Sequence, residues 1–329
     1  MAAADLEAGY EALRRGAGVR ICVERTVIRM TGDDRVSFLH GMCSNDVKGM
    51  APGGIVAALF LTERAHLIAG AMVWATQDAL LLDIDRAGWP PVRAHIERFL
   101  VADDVEMEEC ADEALIENDG PLSAGLVAAV FGEACAAPGA WRFTEAAGGA
   151  RVAMVTRWGA PAFTIIAGKS DASELIARLI AAGATNAVRA VSIEAVEVVR
   201  VESGAARVGA DTNDRTLALE ARMEPAISFS KGCYIGQETV ERATARGGLK
   251  KRMMGLRLSG ARLPAPGALV MLDGKEVGRL SSPVRSPRLG ALGLAVLHHS
   301  AWSAGAAVTI RDGAGEIPAT VSELPFSGD

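Results

Sequence analysis

The chain has 329 residues, half of them hydrophobic but only 5% aromatic, and a formal net charge of −6 at neutral pH. That length is enough to bury a large core and implies two or three domains. The acidic balance speaks against a general nucleic-acid binder, and no apolar run reaches the roughly 18 residues of a membrane span.

In chain order, residues 26–30 alternate like a strand. Gly32-Asp33-Asp34 then places an acidic cap before a helix over 35–42. Pro52-Gly53-Gly54 is a turn. Three apolar runs follow at 55–61, 66–74 and 79–85, with short polar breaks that predict an antiparallel meander. A helix over 90–100 presents Val92, Ile96 and Phe99 or Leu100 on one face. Residues 132–150, rich in Ala, Gly and Pro, read as a loop or seam. Strands are expected at 152–155 and 163–167. A helix over 171–182 is closed by Gly183 in the C′ position, and another over 190–202 ends at Gly204. Alternating antiparallel strands and helices point to an α+β class. From Gly255 onward helical periodicity disappears. Short strands at 255–258, 268–272, 291–297 and 307–310 alternate with Pro-, Gly- and Ser-rich turns, as in a small all-β barrel. The expected domains are 1–248, with two interleaved α+β lobes, and 249–329.

Five cysteines, Cys22, Cys43, Cys110, Cys135 and Cys233, are scattered and odd in number, so they read as reduced thiols rather than a disulfide framework. No two have metal-finger spacing, and His298-His299 on a strand would point to opposite faces, so no metal site is expected. The N-terminus Met-Ala-Ala-Ala-Asp lacks the basic and apolar regions of a secretory signal, which favours a cytoplasmic protein.

Chemistry concentrates in Lys231-Gly232-Cys233-Tyr234-Ile235-Gly236-Gln237-Glu238. Its two glycines allow a tight turn or close approach to a ligand. If side chains alternate there, Lys231 points the same way as Cys233 and lowers its pKa; the plainer reading is a Gly-punctuated loop with a half-buried cysteine. Glu202 falls at a helix C-terminus, where the macrodipole disfavours an anion and a partner is expected. Lys231, Arg242, Arg246, Lys250, Lys251 and Arg252 form the densest cationic stretch. It suits an anionic ligand such as a folate glutamate tail or the phosphates of a transient RNA.

The segment Ser228–Glu238, continued by Thr239-Val240-Glu241-Arg242 and Arg246-Gly247, resembles the signature of the YgfZ family, a branch of the glycine-cleavage T-protein (aminomethyltransferase) superfamily. Arg200-Val201-Glu202-Ser203-Gly204, Arg207-Val208-Gly209-Ala210-Asp211 and Ser44-Asn45-Asp46-Val47 are similar to further superfamily segments and occur in its order. The resemblance implies a three-lobed T-protein-like ring closed by a C-terminal β-barrel, with the octet where the lobes meet. It implies tetrahydrofolate as ligand, with Glu202 facing the pterin and Tyr234, Gln237, Arg242 and Arg246 contributing to the folate site. Cys233 is then the functional thiol, assisted by Lys231, in iron–sulfur cluster assembly or repair. Partners would be iron–sulfur client enzymes or assembly factors, with a link to tRNA modification but no stable nucleic acid and no membrane.

Two departures matter. Aminomethyltransferases carry an aspartate in the second meander strand, and Gly70 stands there; without a carboxylate, acid–base help typically worth ~10²–10⁴ in rate is missing. Relatives also place Pro before Glu220, where this chain has Leu219. The alternatives are a true tetrahydrofolate-dependent aminomethyltransferase or demethylase, and a non-catalytic folate-responsive adaptor. Classical turnover is therefore not the expectation.

Overall fold

A computed structural model describes residues 3–183, 187–245 and 248–327. The chain divides into two compact units. The first comprises Met1–Leu61, Ile68–Val196 and Pro225–Ile235, the second Thr62–Leu67, Glu197–Glu224 and Gly236–Asp329.

The first unit holds two sheets. The expected meander forms Ile55–Leu61, Leu67–Ala75 and Leu80–Asp85, and Arg25–Thr31 and Glu106–Glu109 complete a five-stranded sheet in that order. One face packs against helices Arg35–Met42 and Trp89–Glu97, burying Phe38, Leu39, Met42, Val92 and Ile96. Leu100 joins that core while Phe99 stays exposed. The second sheet runs Val188–Ala190, Ala17–Ile21, Glu113–Asp119, Ala160–Gly168, Arg151–Arg157, Arg142–Glu145. Its first pair is parallel and the rest antiparallel. Leu126, Val127, Leu175 and Leu179 from helices Ser123–Phe131 and Ala172–Ala182 cover one face. The remaining faces of the two sheets share a core of Val27, Trp74, Leu81, Leu115, Phe143 and Ile166.

Three local expectations change. Residues 132–150 include the helical turn Glu133–Ala136 and the strand Arg142–Glu145, where buried Phe143 stands between exposed Arg142 and half-buried Thr144 in a run too short to stand out. Gly183 is extended rather than left-handed. Its missing Cβ makes room for Val188, which such an atom would meet at 2.5 Å. Asp34 precedes the helix but does not cap it; its carboxylate accepts the Asp104 amide at 2.9 Å.

In the second unit six antiparallel strands close on themselves: Lys251–Leu258, Gly315–Ser322, Ala307–Asp312, Leu269–Leu272, Lys275–Leu280 and Gly290–His298, which returns to Lys251–Leu258. Val284–Ser286 adds to the last of them. Closure removes sheet edges, and Leu256, Val270, Leu280, Leu297, Ile310 and Val321 fill the interior. The helix expected over 190–202 spans Ile193–Ser203 and ends at Gly204 with φ +71°.

Candidate functional site

The octet is not a strand, so alternation does not govern it. Lys231 is 9% exposed, and its ammonium donates to the carbonyl oxygens of His40, of Cys43 at 2.7 Å and of Asn45 at 3.0 Å. The Nζ also lies 5.0 Å from the centre of the buried Tyr234 ring. Burial pushes the Lys231 amine below its usual range, against the opposing pull of Cys43 and Asp46. Cys233, by contrast, is exposed. The expectation that Lys231 acts on the Cys233 thiol gives way to a different occupation. The helix Arg35–Met42 ends in an extended Cys43, so its last carbonyls need donors from elsewhere. The octet supplies them, through Lys231 and through the Ile235 amide, which donates to Gly41 O at 3.1 Å. A cation there also complements the helix dipole.

Ser44, from the Ser-Asn-Asp-Val step, binds the segment before the octet. Its hydroxyl donates to Ala226 O at 2.6 Å and accepts the Leu59 amide at 2.8 Å. Its carbonyl accepts the Ser228 amide at 2.9 Å. Ile227, Lys231 and Tyr234 are buried while Phe229 and Cys233 are exposed. The result is a loop anchored at three points that holds a thiol and a phenyl ring toward solvent.

Glu202 lies in the second unit and is 2% exposed. Ser286 Oγ donates to one carboxylate oxygen, and Arg288 stands 3.8 Å from the other. The partner that the helix end demands is therefore a barrel serine. The backbone carbonyl of Glu202 accepts the Phe326 amide at 2.9 Å. Leu324 and Phe326 fill the spaces left by the missing side chains of Gly204 and Gly255. Arg222 and Arg252 both reach Glu323 Oε2, at 2.9 and 2.6 Å.

On the same helix, Arg200 donates to Asp211 Oδ2 at 2.7 Å, to Ser282 Oγ at 2.8 Å and to Glu197. Asp211 accepts from Ser281 at 2.5 Å and Ser282 at 2.6 Å. The matched segments around Arg200 and Asp211 thus form one buried hydrogen-bonded network. Glu220 closes its own loop by accepting the Leu217 amide at 3.1 Å, and burial raises its carboxyl above the usual range.

Gln237 and Arg242 lie on the helix Gln237–Ala245 and pair along it, Gln237 with Glu241 at 2.6 Å and Arg242 with Glu238 at 2.8 Å. Arg246 lies outside the described residues. His298 and His299 do not diverge as on a strand. The strand ends between them, and their rings stand 4.0 Å apart.

An added Cβ at Gly70 would meet Leu59 at an ordinary 3.5 Å, so sterics do not impose the glycine. A carboxylate does stand one strand away. Asp83, opposite Met72 and Val27, is wholly buried and forms a cluster with Arg20, Arg25, Glu117, Asp119 and Arg157. Arg25 comes within 2.8 Å of Asp83, yet among the described residues no donor is aligned to hydrogen-bond either oxygen. Burial pushes the Asp83 carboxyl up to about 6. Glu117, shared by three arginines, is held down at about 2 despite its burial. A lone charged residue within Leu80-Leu81-Leu82-Asp83-Ile84 was the available signal.

Family comparison places these features. Residues 2–231 match the GCVT N-terminal domain and residues 251–327 the glycine cleavage T-protein C-terminal barrel domain. Cys233 thus falls between the two matched segments. An aminomethyltransferase of Rubrobacter xylanophilus is 28% identical over 98% of this chain and 86% of its own length. One of Nostoc is 25% identical over 96% and 86%. The crystal structure of glycine cleavage system aminomethyltransferase T from Bartonella henselae superposes with a TM-score of 0.85 at 19% identity, covering 98% of this chain and 89% of that one. The two matched domains, which cover most of the chain and agree with its mixed α/β fold and six-stranded barrel, make this chain a member of the glycine-cleavage T-protein family.

Proposed function

We propose that this T-protein family member binds tetrahydrofolate and supports iron–sulfur cluster assembly or repair through the Cys233 thiol. The carrying observation is the loop around Cys233, an exposed thiol between the buried anchors Lys231 and Tyr234. The octet's resemblance to the YgfZ signature supports the same reading. One thiol does not hold a cluster, which takes about four ligands; Cys233 acts as a nucleophile or as one transient ligand. Glu202 is the proposed pterin contact. Its carboxylate only accepts hydrogen bonds, and the Ser286 hydroxyl now bound to it is a donor that an amino-pyrimidine edge replaces. The test is Cys233→Ser in cells lacking the protein. It should keep folate-induced thermal stabilisation yet fail to restore iron–sulfur enzyme activity, and full restoration would refute the reading.

A second reading, aminomethyl transfer to tetrahydrofolate, is favoured by the names of the relatives. Turnover of an aminomethyl donor with tetrahydrofolate decides between them. Gly70→Asp, whose Cβ would make only ordinary contacts there, should raise such turnover if only the acid is missing.

A further inference from the structure

The carbonyl oxygens of His40, Cys43 and Asn45 converge on one point, and the Lys231 ammonium occupies it. These oxygens come from the end of the helix Arg35–Met42 and the turn after it. Three acceptors match the three donors of one primary ammonium, and the group has no acceptor to satisfy in return. The Tyr234 ring offers its face to the same charge at 5.0 Å.

We propose that these oxygens form a cation cage specific for a primary ammonium, and that Lys231 is its tethered occupant and positions the Cys233 loop. This rests on the proposed role of Cys233 for its functional meaning, but the cage itself is testable without any activity. Lys231 acts here through geometry. Its charge faces Cys43, His40 and Asp46, and its hydrogen bonds pin the loop to residues almost two hundred positions earlier. If it is cut away, the oxygens lose their donors and the loop loses the central one of its three anchors. An untethered alkylammonium of matching length then restores both.

The experiment uses the full chain. Lys231→Ala should exchange the amide hydrogens of residues 39–46 and 231–235 at least about tenfold faster, the effect of losing one charge-assisted hydrogen bond. Propylammonium should reverse this saturably; tetramethylammonium, which has no N–H, should not. The pH midpoint for alkylation of Cys233 should stay at its wild-type value in the variant. If Lys231→Ala does not fold, the wild-type protein still decides. Its ¹⁵N spectrum should contain one lysine ammonium with slowly exchanging protons, absent from Lys231→Arg. The cage is overturned if Lys231→Met keeps wild-type protection, if tetramethylammonium rescues as well as propylammonium, or if no slowly exchanging ammonium is found. A raised alkylation midpoint with unchanged protection would assign Lys231 to thiolate stabilisation instead. Failure of Cys233→Ser to impair cells would remove the proposed function but leave the cage standing.

Discussion

Asp83 should make the protein less stable, not more, as pH rises from the acid side. Its carboxyl ionises near the ordinary 3.8 in the unfolded chain but is pushed up to about 6 in the fold. Burial outweighs the attraction of Arg25, and neither oxygen receives a hydrogen bond among the described residues. Below the unfolded value both states hold the proton. Between the two values the unfolded chain releases it while the native state keeps it, so stability falls with pH. Above about 6 both states are ionised and the native state carries the full cost of the buried charge. At about 1.4 kcal/mol per pH unit the shift amounts to about 3 kcal/mol. Asp83→Asn keeps the size and abolishes the titration. The stability of wild type minus that of Asp83→Asn should therefore drop by about 3 kcal/mol between about pH 3 and pH 7. Urea unfolding at successive pH values measures it. Glu117, already ionised across that window because its neighbouring arginines hold it at about 2, contributes little to the difference. A flat or rising difference would refute the account and mean that Arg25 more than compensates the burial of Asp83.

Phe326→Ala should cost about 3–5 kcal/mol in denaturant unfolding, since the ring is buried in the space above Gly255. Gly204→Ala should also destabilise, by about 1 kcal/mol or more, because its φ of +71° and the Leu324 side chain 2.7 Å from a Cβ both oppose a side chain. Glu202→Gln should weaken tetrahydrofolate binding in calorimetry, because one acceptor becomes a donor. Ser286→Ala should preserve binding, and equal loss in both variants would make the site structural only. An electrophile read by mass spectrometry should label Cys233 first. Cys22, Cys43 and Cys135 are buried and Cys110 half-buried, and burial raises all four thiols.

What could be read from the sequence followed the range of the interactions involved. The strand Ile55–Leu61 has the expected bounds and its meander neighbours shift by about one residue, because their apolar runs are set by local burial. Lys275–Leu280 and Gly315–Ser322 were not anticipated. The first carries Gly278, whose missing Cβ lets the strand approach Val296 O, 2.6 Å from where that atom would be; the second carries Pro318. The need at Gly278 arises from a neighbour that only the closed barrel supplies. The chemical richness of the octet was visible, but the occupation of Lys231 was not, since its acceptors lie 186–191 residues away. The ionic cluster of Arg20, Arg25, Asp83, Glu117, Asp119 and Arg157 draws on five strands of two sheets, so no spacing along the chain announces it. Exposure of Cys233 likewise depends on which neighbours the fold buries.

The segment 323–326 sets a timetable for the barrel unit. The carbonyl of Glu202 waits for the Phe326 amide, and the hollow at Gly204 waits for Leu324. On a ribosome adding about 5–20 residues per second, the helix Ile193–Ser203 stands with an unfinished end for several seconds before those groups emerge. For the first part of that interval, until residue 286 is made, the Glu202 carboxylate lacks the Ser286 hydroxyl as well. Any factor that recognises the nascent chain at this helix has a window to act that closes when residue 326 docks.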